Sequence, residues 1–338
     1  MPLSATMPLP TPTGALLADI GGTNARFALA GADTSRPTLL AESIRIYPVV
    51  NFPSLRDAAS HYLEEMGASP DSAVFAVAGP VKDQEAQLTN HPWTISANSL
   101  QTSLGFHHVE LVNDFTAQAM AIALLEPKET SALGDNQWRG WHDSSARTYA
   151  IIGPGTGLGV GGLLRRDGRF HPLQTEGGHV AFAPGTDQER EVLRYLSKQL
   201  PRVSNERVLS GVGLVNIHCA LTQAHGYATD ALQPRDVTAR AAQGDAVCLQ
   251  AIDVFCAIFG AVAGDLVLTL GAWDGVFLTG GLIPRLKPWL ETSAFRARFE
   301  DKGRLSQTMQ QVPSVSITHQ QPGLLGTAAM SGGLCGTR

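Results

Sequence analysis

Cysteine is scarce and unpatterned in this chain. Four residues, Cys219, Cys248, Cys256 and Cys335, occur in 338, and no two form a C-x-x-C pair. That argues against a disulfide framework and a cysteine-rich zinc site, suits a reducing compartment, and leaves buried apolar thiols as the reading for all four. Charge is sparse as well, at 16% of residues against 43% hydrophobic, the balance of a folded globular chain. Positive charge is not in excess: the formal net charge is −5, which argues against nucleic acid and anionic membranes as partners. An anionic ligand stays open, because backbone N–H groups and a bound metal neutralise phosphates locally. The longest apolar stretch, residues 254–273, is interrupted by Asp265 and several glycines and reads as a buried helix, not a membrane span. The first thirteen residues hold Pro2, Pro8, Pro10 and Pro12 and no charge. We read residues 1–14 as a disordered leader that is neither signal nor anchor, with Met7 an alternative start.

What the chain does have is length enough for two domains and a succession of apolar runs ended by glycine. Residues 15–19, 25–30 and 43–50 predict three strands, 55–66 a helix stopped by Gly67, and 73–78 and 109–112 buried strands before an apolar helix at 115–125. From Glu126 to Arg147 the composition turns polar, which marks the candidate linker. Residues 149–152 start a second block. Helices are expected near 188–199, 213–224, 234–243 and 246–270, a strand at 276–279 and a last helix at 323–330. Strands preceding helices in both blocks indicate an α/β protein. Residues 20–29 and 152–160 share one plan, an apolar strand, a Gly/Thr turn and a second apolar strand, which suggests a duplicated fold.

The glycine turns carry the chemistry. Gly21 and Gly22 let a phosphate approach the backbone, Thr23 and Asn24 add donors, and the Asp19 carboxylate suits a hydrated Mg²⁺. Alone, a plain hairpin turn fits equally well. Residues 157–162 spell G-x-G-x-x-G, but apolar residues and a hairpin-like Arg166-Asp167-Gly168 follow where a dinucleotide fold needs a helix. With no G-x-x-x-x-G-K-[ST] either, the remaining option is a phosphate-wrapping hairpin used twice. Asn113-Asp114 ends a buried strand, which suits either a catalytic carboxylate or a helix N-cap. Glu176-Gly177-Gly178-His179 offers mixed donors and acceptors of the kind sugar hydroxyls need, or a tight turn. Thr279-Gly280-Gly281 would let a flat base lie against the backbone, or simply turn the chain.

Taken in order, these pieces resemble the bacterial glucokinase family, sugar kinases of the actin/hexokinase-like ATPase fold. The likeness is carried by LLADIGGTNARFAL from Leu16, AGPV from Ala78, LTNHPW from Leu88, LVNDFTAQAMAI from Leu111, GPGTGLG from Gly153, EGGHVAF from Glu176, ERVLSGVGL from Glu206 and LTGGL from Leu278. The resemblance implies an α/β, two-domain actin-like (ribonuclease H-like) fold with a mixed sheet in each domain and the active site in the cleft between them. The small domain would comprise 15–124 plus 320–338 and the large one 125–319. It implies ATP-dependent phosphorylation of glucose to glucose 6-phosphate, with Asp114 the catalytic base and Asn90, Asn113, Asp114, Glu176, His179 and Glu206 holding the sugar. ATP would lie against Ala18, Asp19, Ile20, Gly21, Gly22, Thr23 and Asn24, against Gly153, Gly155, Thr156 and Gly157, and against Gly280 and Gly281. Mg²⁺ would be held through water by Asp19. The expected protein is a cytoplasmic homodimer. Pro154 departs from the family turn, since proline has no N–H to give a phosphate. A related sugar-kinase family that includes repressors carries a cysteine-rich zinc motif after the His; positions 180–190 hold no cysteine. Another hexose or an amino sugar as substrate, or a non-catalytic sugar-binding regulator, are the alternatives.

Overall fold

A computed structural model describes residues 14–336 except 36, 89, 90 and 144, so the leader and Asn90 lie outside the described residues. The chain divides into two compact units. One takes the residues up to Leu125, Arg166–Leu173 and the chain from His319 onward; the other takes Glu126–Arg165 and Gln174–Thr318.

The first unit is built on β1 (Leu16–Ile20), β2 (Asn24–Ala30), β3 (Leu39–Pro48), β4 (Ser72–Val77) and β5 (His108–Asn113), hydrogen-bonded in the order β3-β2-β1-β4-β5. Strands β1, β4 and β5 run parallel, and β2 and β3 are antiparallel to their neighbours. β1 and β4 are buried almost throughout, so they read in the sequence as continuous apolar runs without alternation. The helix Leu55–Met66 starts at Ser54, whose hydroxyl accepts the Asp57 N–H, and stops at Gly67 with φ 59°. Tyr62 stacks on Phe27 at 5.3 Å, and its hydroxyl donates to the Ser43 carbonyl. The helix Asp114–Ala121 packs on the C-terminal helix Pro322–Ser331 at Gly326, where a Cβ would lie 1.7 Å from the Ala117 carbonyl oxygen.

The second unit is built on β6 (Thr130–Ala132), β7 (Arg147–Pro154), β8 (Leu158–Arg166), β9 (Val276–Leu278) and β10 (Ser314–Ile317), which run in the order β8-β7-β9-β10-β6. β7, β9 and β10 are parallel; β8 and β6 are antiparallel to their neighbours. The polar segment after Glu126 is no free tether. It supplies β6, and Trp138 is buried edge-on to Phe277 at 5.2 Å. The helix Ala246–Leu270 is long and apolar enough to cross a membrane by length and composition. Here it is a core helix: Phe255, Phe259 and Val267 are fully buried. At Gly260 and Gly264 a Cβ would fall 2.0 and 2.5 Å from the carbonyl oxygens of Phe295 and Phe299. None of the four cysteines is in a disulfide; Cys248 and Cys256 are buried as expected, Cys219 and Cys335 only partly, and burial pushes the thiols of Cys248 and Cys256 up to about 11 and about 12.

Each unit therefore repeats a hairpin followed by two parallel strands. The registers align Ile20 with Val77 and Asn113 in one sheet, and Ile152 with Leu278 and Ser316 in the other. In both, the parallel ladder gains one bond beyond the strand: Ala78 N–H to the Ile20 carbonyl (2.9 Å), and Thr279 N–H to the Ile152 carbonyl (3.0 Å). The short sequence match between the two turns thus marks a repeat of whole sheets.

Candidate active site

In the first unit, the β1–β2 turn is closed by the Gly21 N–H donating to the Asn24 carbonyl (3.0 Å). A Cβ on Gly21 would come no nearer than 3.6 Å to anything, so packing does not demand glycine there. The open side is room for a ligand. Asp19, at the end of β1, lies 3.5 Å from the Arg26 guanidinium, and burial raises its carboxyl against the lowering effect of Arg26. Gly323 of the C-terminal helix seats that carboxylate, since a Cβ there would fall 2.7 Å from its Cγ.

Asn113 ends β5 and caps the next helix. Its Oδ1 accepts the N–H groups of Phe115 (2.9 Å) and Thr116 (3.4 Å), and its Nδ2 donates to the Gly79 carbonyl (3.0 Å). Both readings of Asn113-Asp114 thus divide between the two residues: Asn113 is the cap, and Asp114 is the first helical residue with its carboxyl free of that duty. Asp114 Oδ1 accepts the adjacent Phe115 N–H (2.9 Å), and the Asn113 side chain also lies within hydrogen-bonding reach of the carboxyl. Burial, and secondarily the charge of Asp19, push the Asp114 carboxyl up to about 7, against the lowering pull of the Phe115 N–H. A carboxylate there is poised to take a proton near neutral pH.

In the second unit, the β7–β8 turn closes through the Gly155 N–H to the Gly157 carbonyl (2.8 Å), so neither Gly155 nor Pro154 has an N–H to spare. Thr156 and Gly157 remain as the candidate donors of this turn. Glu206, on the short 3₁₀ turn Asn205–Arg207, accepts the Leu158 N–H through Oε2 (3.0 Å). Glu176 and His179 flank a second 3₁₀ turn, Gly177–His179, with Nε2 and Oε2 4.0 Å apart and both side chains largely exposed. The two glycines between them lie flush on β8: a Cβ on Gly178 would sit 2.1 Å from the Leu158 carbonyl oxygen. The Asn205 N–H donates to the Val180 carbonyl (2.9 Å), which ties the two short turns together. Glu176, His179 and Glu206, 30 residues apart in sequence at the extremes (176 to 206), are thereby gathered around Leu158.

A cavity of about 320 Å³ opens beside the same turn. Gly155, Thr156 and Gly281 form one side; Gly211, Val212, Pro234, Leu282 and Arg285 complete it. Gly280 has φ 94°, and a Cβ on it would strike the Pro154 carbonyl oxygen at 2.5 Å, whereas Gly281 has open space around it. The first glycine is required by the backbone and the second leaves room for a ligand. The sequence reading anticipated the two glycines but not Val212, Pro234 or Arg285, which come from separate helices. The one available signal was the helix start at Gly211, whose N–H donates to the Gly155 carbonyl (2.9 Å).

Paired hairpin-and-parallel sheets, two glycine turns and a half-buried carboxylate at the end of a parallel strand agree with the actin-like sugar-kinase fold that the sequence resemblance implies. Comparison with known proteins narrows this. A family model described as Glucokinase matches residues 16–332. The chain is 57% identical over 314 residues to a glucokinase of Stenotrophomonas maltophilia (strain K279a), which covers 93% of each. Among solved structures, it resembles a glucokinase from an Antarctic psychrotroph at TM-score 0.83 and 35% identity, covering 94% of this chain and 98% of the other. A Balamuthia mandrillaris glucokinase in complex with glucose shares the fold at TM-score 0.79 and 21% identity, over 94% and 93% of the two chains. The chain belongs to the glucokinase family.

Proposed function

We propose that this chain phosphorylates D-glucose at its 6-hydroxyl with ATP, and that Asp114 is the general base. The observation that carries the role of Asp114 is its carboxyl, held at about 7 by burial at the end of a parallel strand. A base with that affinity is about half ionised at neutral pH and strong enough to accept a hydroxyl proton in the transition state. The sugar oxygen attacks the γ-phosphorus, its proton passes to Asp114, and ADP leaves. Glu176, His179 and Glu206 supply acceptors and donors to the remaining hydroxyls. Asn113, engaged by its cap and by the Gly79 carbonyl, would serve chiefly to hold Asp114 in place.

Phosphates would be received by the N–H groups and side chains of residues 21–24 and by Thr156 and Gly157. The base would occupy the cavity between Gly281 and Val212, with Arg285 at its wall. Asp19 fits a hard, hydrated cation: an oxygen donor, at the end of β1, beside a turn with open space. Mg²⁺ held there through water would neutralise phosphate charge. Cytoplasmic location and a homodimer accompany this reading on the strength of the resemblance, and light scattering checks the second. The deciding experiment is a coupled assay with ATP and a hexose panel that includes amino sugars. Glucose should give the highest kcat/KM. A stronger response to another sugar, or no turnover with any, would refute the assignment.

A further inference from the structure

The second glycine turn is bracketed by one short segment of chain. Glu206 Oε2 accepts the Leu158 N–H at 3.0 Å, and the Gly155 carbonyl accepts the Gly211 N–H at 2.9 Å. Between them, Ser210 Oγ donates to the Glu206 carbonyl at 2.8 Å and fixes the spacing of the bracket. Gly157 is pressed against the Glu206 carboxylate so closely that a Cβ would lie 2.4 Å from Oε2. The other carboxylate oxygen, Oε1, takes no hydrogen bond from the described residues. At the next peptide, the Leu158 carbonyl is covered by Gly178 of the Glu176-to-His179 turn.

We propose that Glu206 is a positioning residue for the phosphate turn and, through it, the link by which sugar and nucleotide strengthen one another's binding. Oε2 stays on the Leu158 N–H while Oε1 accepts a sugar hydroxyl. A carboxylate held at both oxygens is ordered, and an ordered Glu206 fixes Gly157 and Leu158 in the turn that receives phosphates. The ordering cost is met by whichever ligand arrives first, so the second binds more tightly, and the effect is reciprocal. This rests on the reading above, in which Glu206 meets the sugar and residues 155–157 meet ATP.

Isothermal titration of the full chain with AMP-PNP, with and without saturating glucose, measures the coupling, and the reverse titration must return the same factor. The wild type should bind AMP-PNP roughly five- to twentyfold more tightly when glucose is present. Gly157→Ala pushes the carboxylate off the turn without altering its chemistry, and the coupling should fall to within about twofold. Glu206→Asp, one methylene too short to serve both partners, should do the same; it carries the test alone if circular dichroism shows that Gly157→Ala does not fold. A role that is only structural would lower affinity for both ligands and leave the coupling factor unchanged. Coupling that survives in the folded variants, or a wild type that binds both ligands without coupling, overturns the inference. A wild type that fails to bind glucose at all would instead refute the functional reading beneath it.

Discussion

In the first unit, the row Ile20–Val77–Asn113 is flanked by Asp19 on the first strand and Asp114 on the third; in the second unit, the matching row Ile152–Leu278–Ser316 is flanked by Ile151 and Ile317. The same frame thus carries two carboxylates in one copy and two isoleucines in the other. The glycine turns differ in the same sense. Next to the first stand acids whose affinity for protons is raised by burial and, for Asp114, also by the neighbouring Asp19. Beside the second lie an open cavity and the side chains of Glu176, His179 and Glu206. On the functional reading proposed above, the duplicated scaffold divides the labour: the proton acceptor and the cation ligand would come from the first unit, and most sugar and base contacts from the second. Fold alone would not have shown this, since both sheets share one topology and only the residues at matched positions differ.

The largest effect should come from removing the acid at one matched position and not its counterpart. Asp114→Asn should lower turnover roughly a hundredfold or more, the scale of losing a general base. Ile317→Val, at the matched position of the second unit, should leave kcat within about twofold, since conservative apolar changes of this size perturb packing only slightly. Steady-state kinetics on both variants decides it. Equal losses would mean that the asymmetry between the units has no catalytic content.

Next in size is a contrast between glycines. Gly280→Ala puts a Cβ on a residue with φ 94° and 2.5 Å from the Pro154 carbonyl oxygen, and should cost about 2 kcal/mol of stability. Gly21→Ala meets nothing closer than 3.6 Å and should melt within a degree or two of the wild type. Its loss should appear in the KM for ATP, roughly tenfold, because the methyl occupies the side kept open for a phosphate. Thermal melts set beside KM values separate the two kinds of glycine. If Gly21→Ala lowers the melting temperature and spares KM, the first turn is a hairpin and nothing more.

The sequence disclosed the parts of this molecule that depend on local patterns and hid those that depend on distant partners. The helix Ala246–Leu270 falls on the span expected for it, because its length and a C-terminal Gly271 with φ 63° delimit it. β1 and β4 were visible because burial on both faces makes them unbroken apolar runs. The hairpin between Val81–Lys82 and Glu85–Gln87 was not anticipated, because its turn places Asp83 and Gln84 at φ 52° and 57° with no glycine to announce it. β6 was hidden in a polar segment, since its stability comes from pairing with residues some 180 positions later, as the Ser314 hydroxyl donating to the Leu133 carbonyl illustrates. At the site, motifs located the glycine turns and Asp114. The choice of Asn113 over Asp114 as the cap, and the grip of Glu206 on Leu158, required the structure.

A smaller effect concerns pH, and its sign follows from burial. The folded state holds the Asp114 carboxyl at about 7, well above the value of about 3.9 for an exposed aspartate. The folded protein therefore binds this proton more tightly than the unfolded chain, so the stabilising contribution is full below about pH 4 and is lost as pH rises through 7. In ligand-free protein, Asp114→Asn should thus raise stability at pH 8 by about 1 kcal/mol, a value reduced for the partial exposure of the carboxyl. The gain should shrink toward zero at pH 4. Denaturant melts across this range test it, and a gain independent of pH would show that the carboxyl is not held in an unfavourable environment.

The smallest predicted effect sharpens the comparison at the outer strand of each set of parallel strands. In the second unit, the free edge of β10 is covered by backbone, with β6 paired antiparallel along it. In the first unit, the corresponding strand β5 has no such neighbour in its sheet among the described residues. A side chain takes the place of one: Gln84 Oε1 accepts the Leu111 N–H at 2.8 Å, and its Nε2 reaches the Leu111 carbonyl at 3.4 Å. That amide imitates a strand residue two positions before Asn113, and so steadies the end of β5 from which Asp114 projects. Gln84→Ala leaves the Leu111 N–H unpaired and should cost about 1 kcal/mol of stability. It should also lower kcat a few-fold with little change in the KM for ATP, because the base is displaced and the nucleotide turns are not. Gln84→Glu keeps the acceptor for the N–H and should recover most of the stability. If Gln84→Ala instead raises the KM for ATP and spares kcat, the edge amide supports the first glycine turn and not the base.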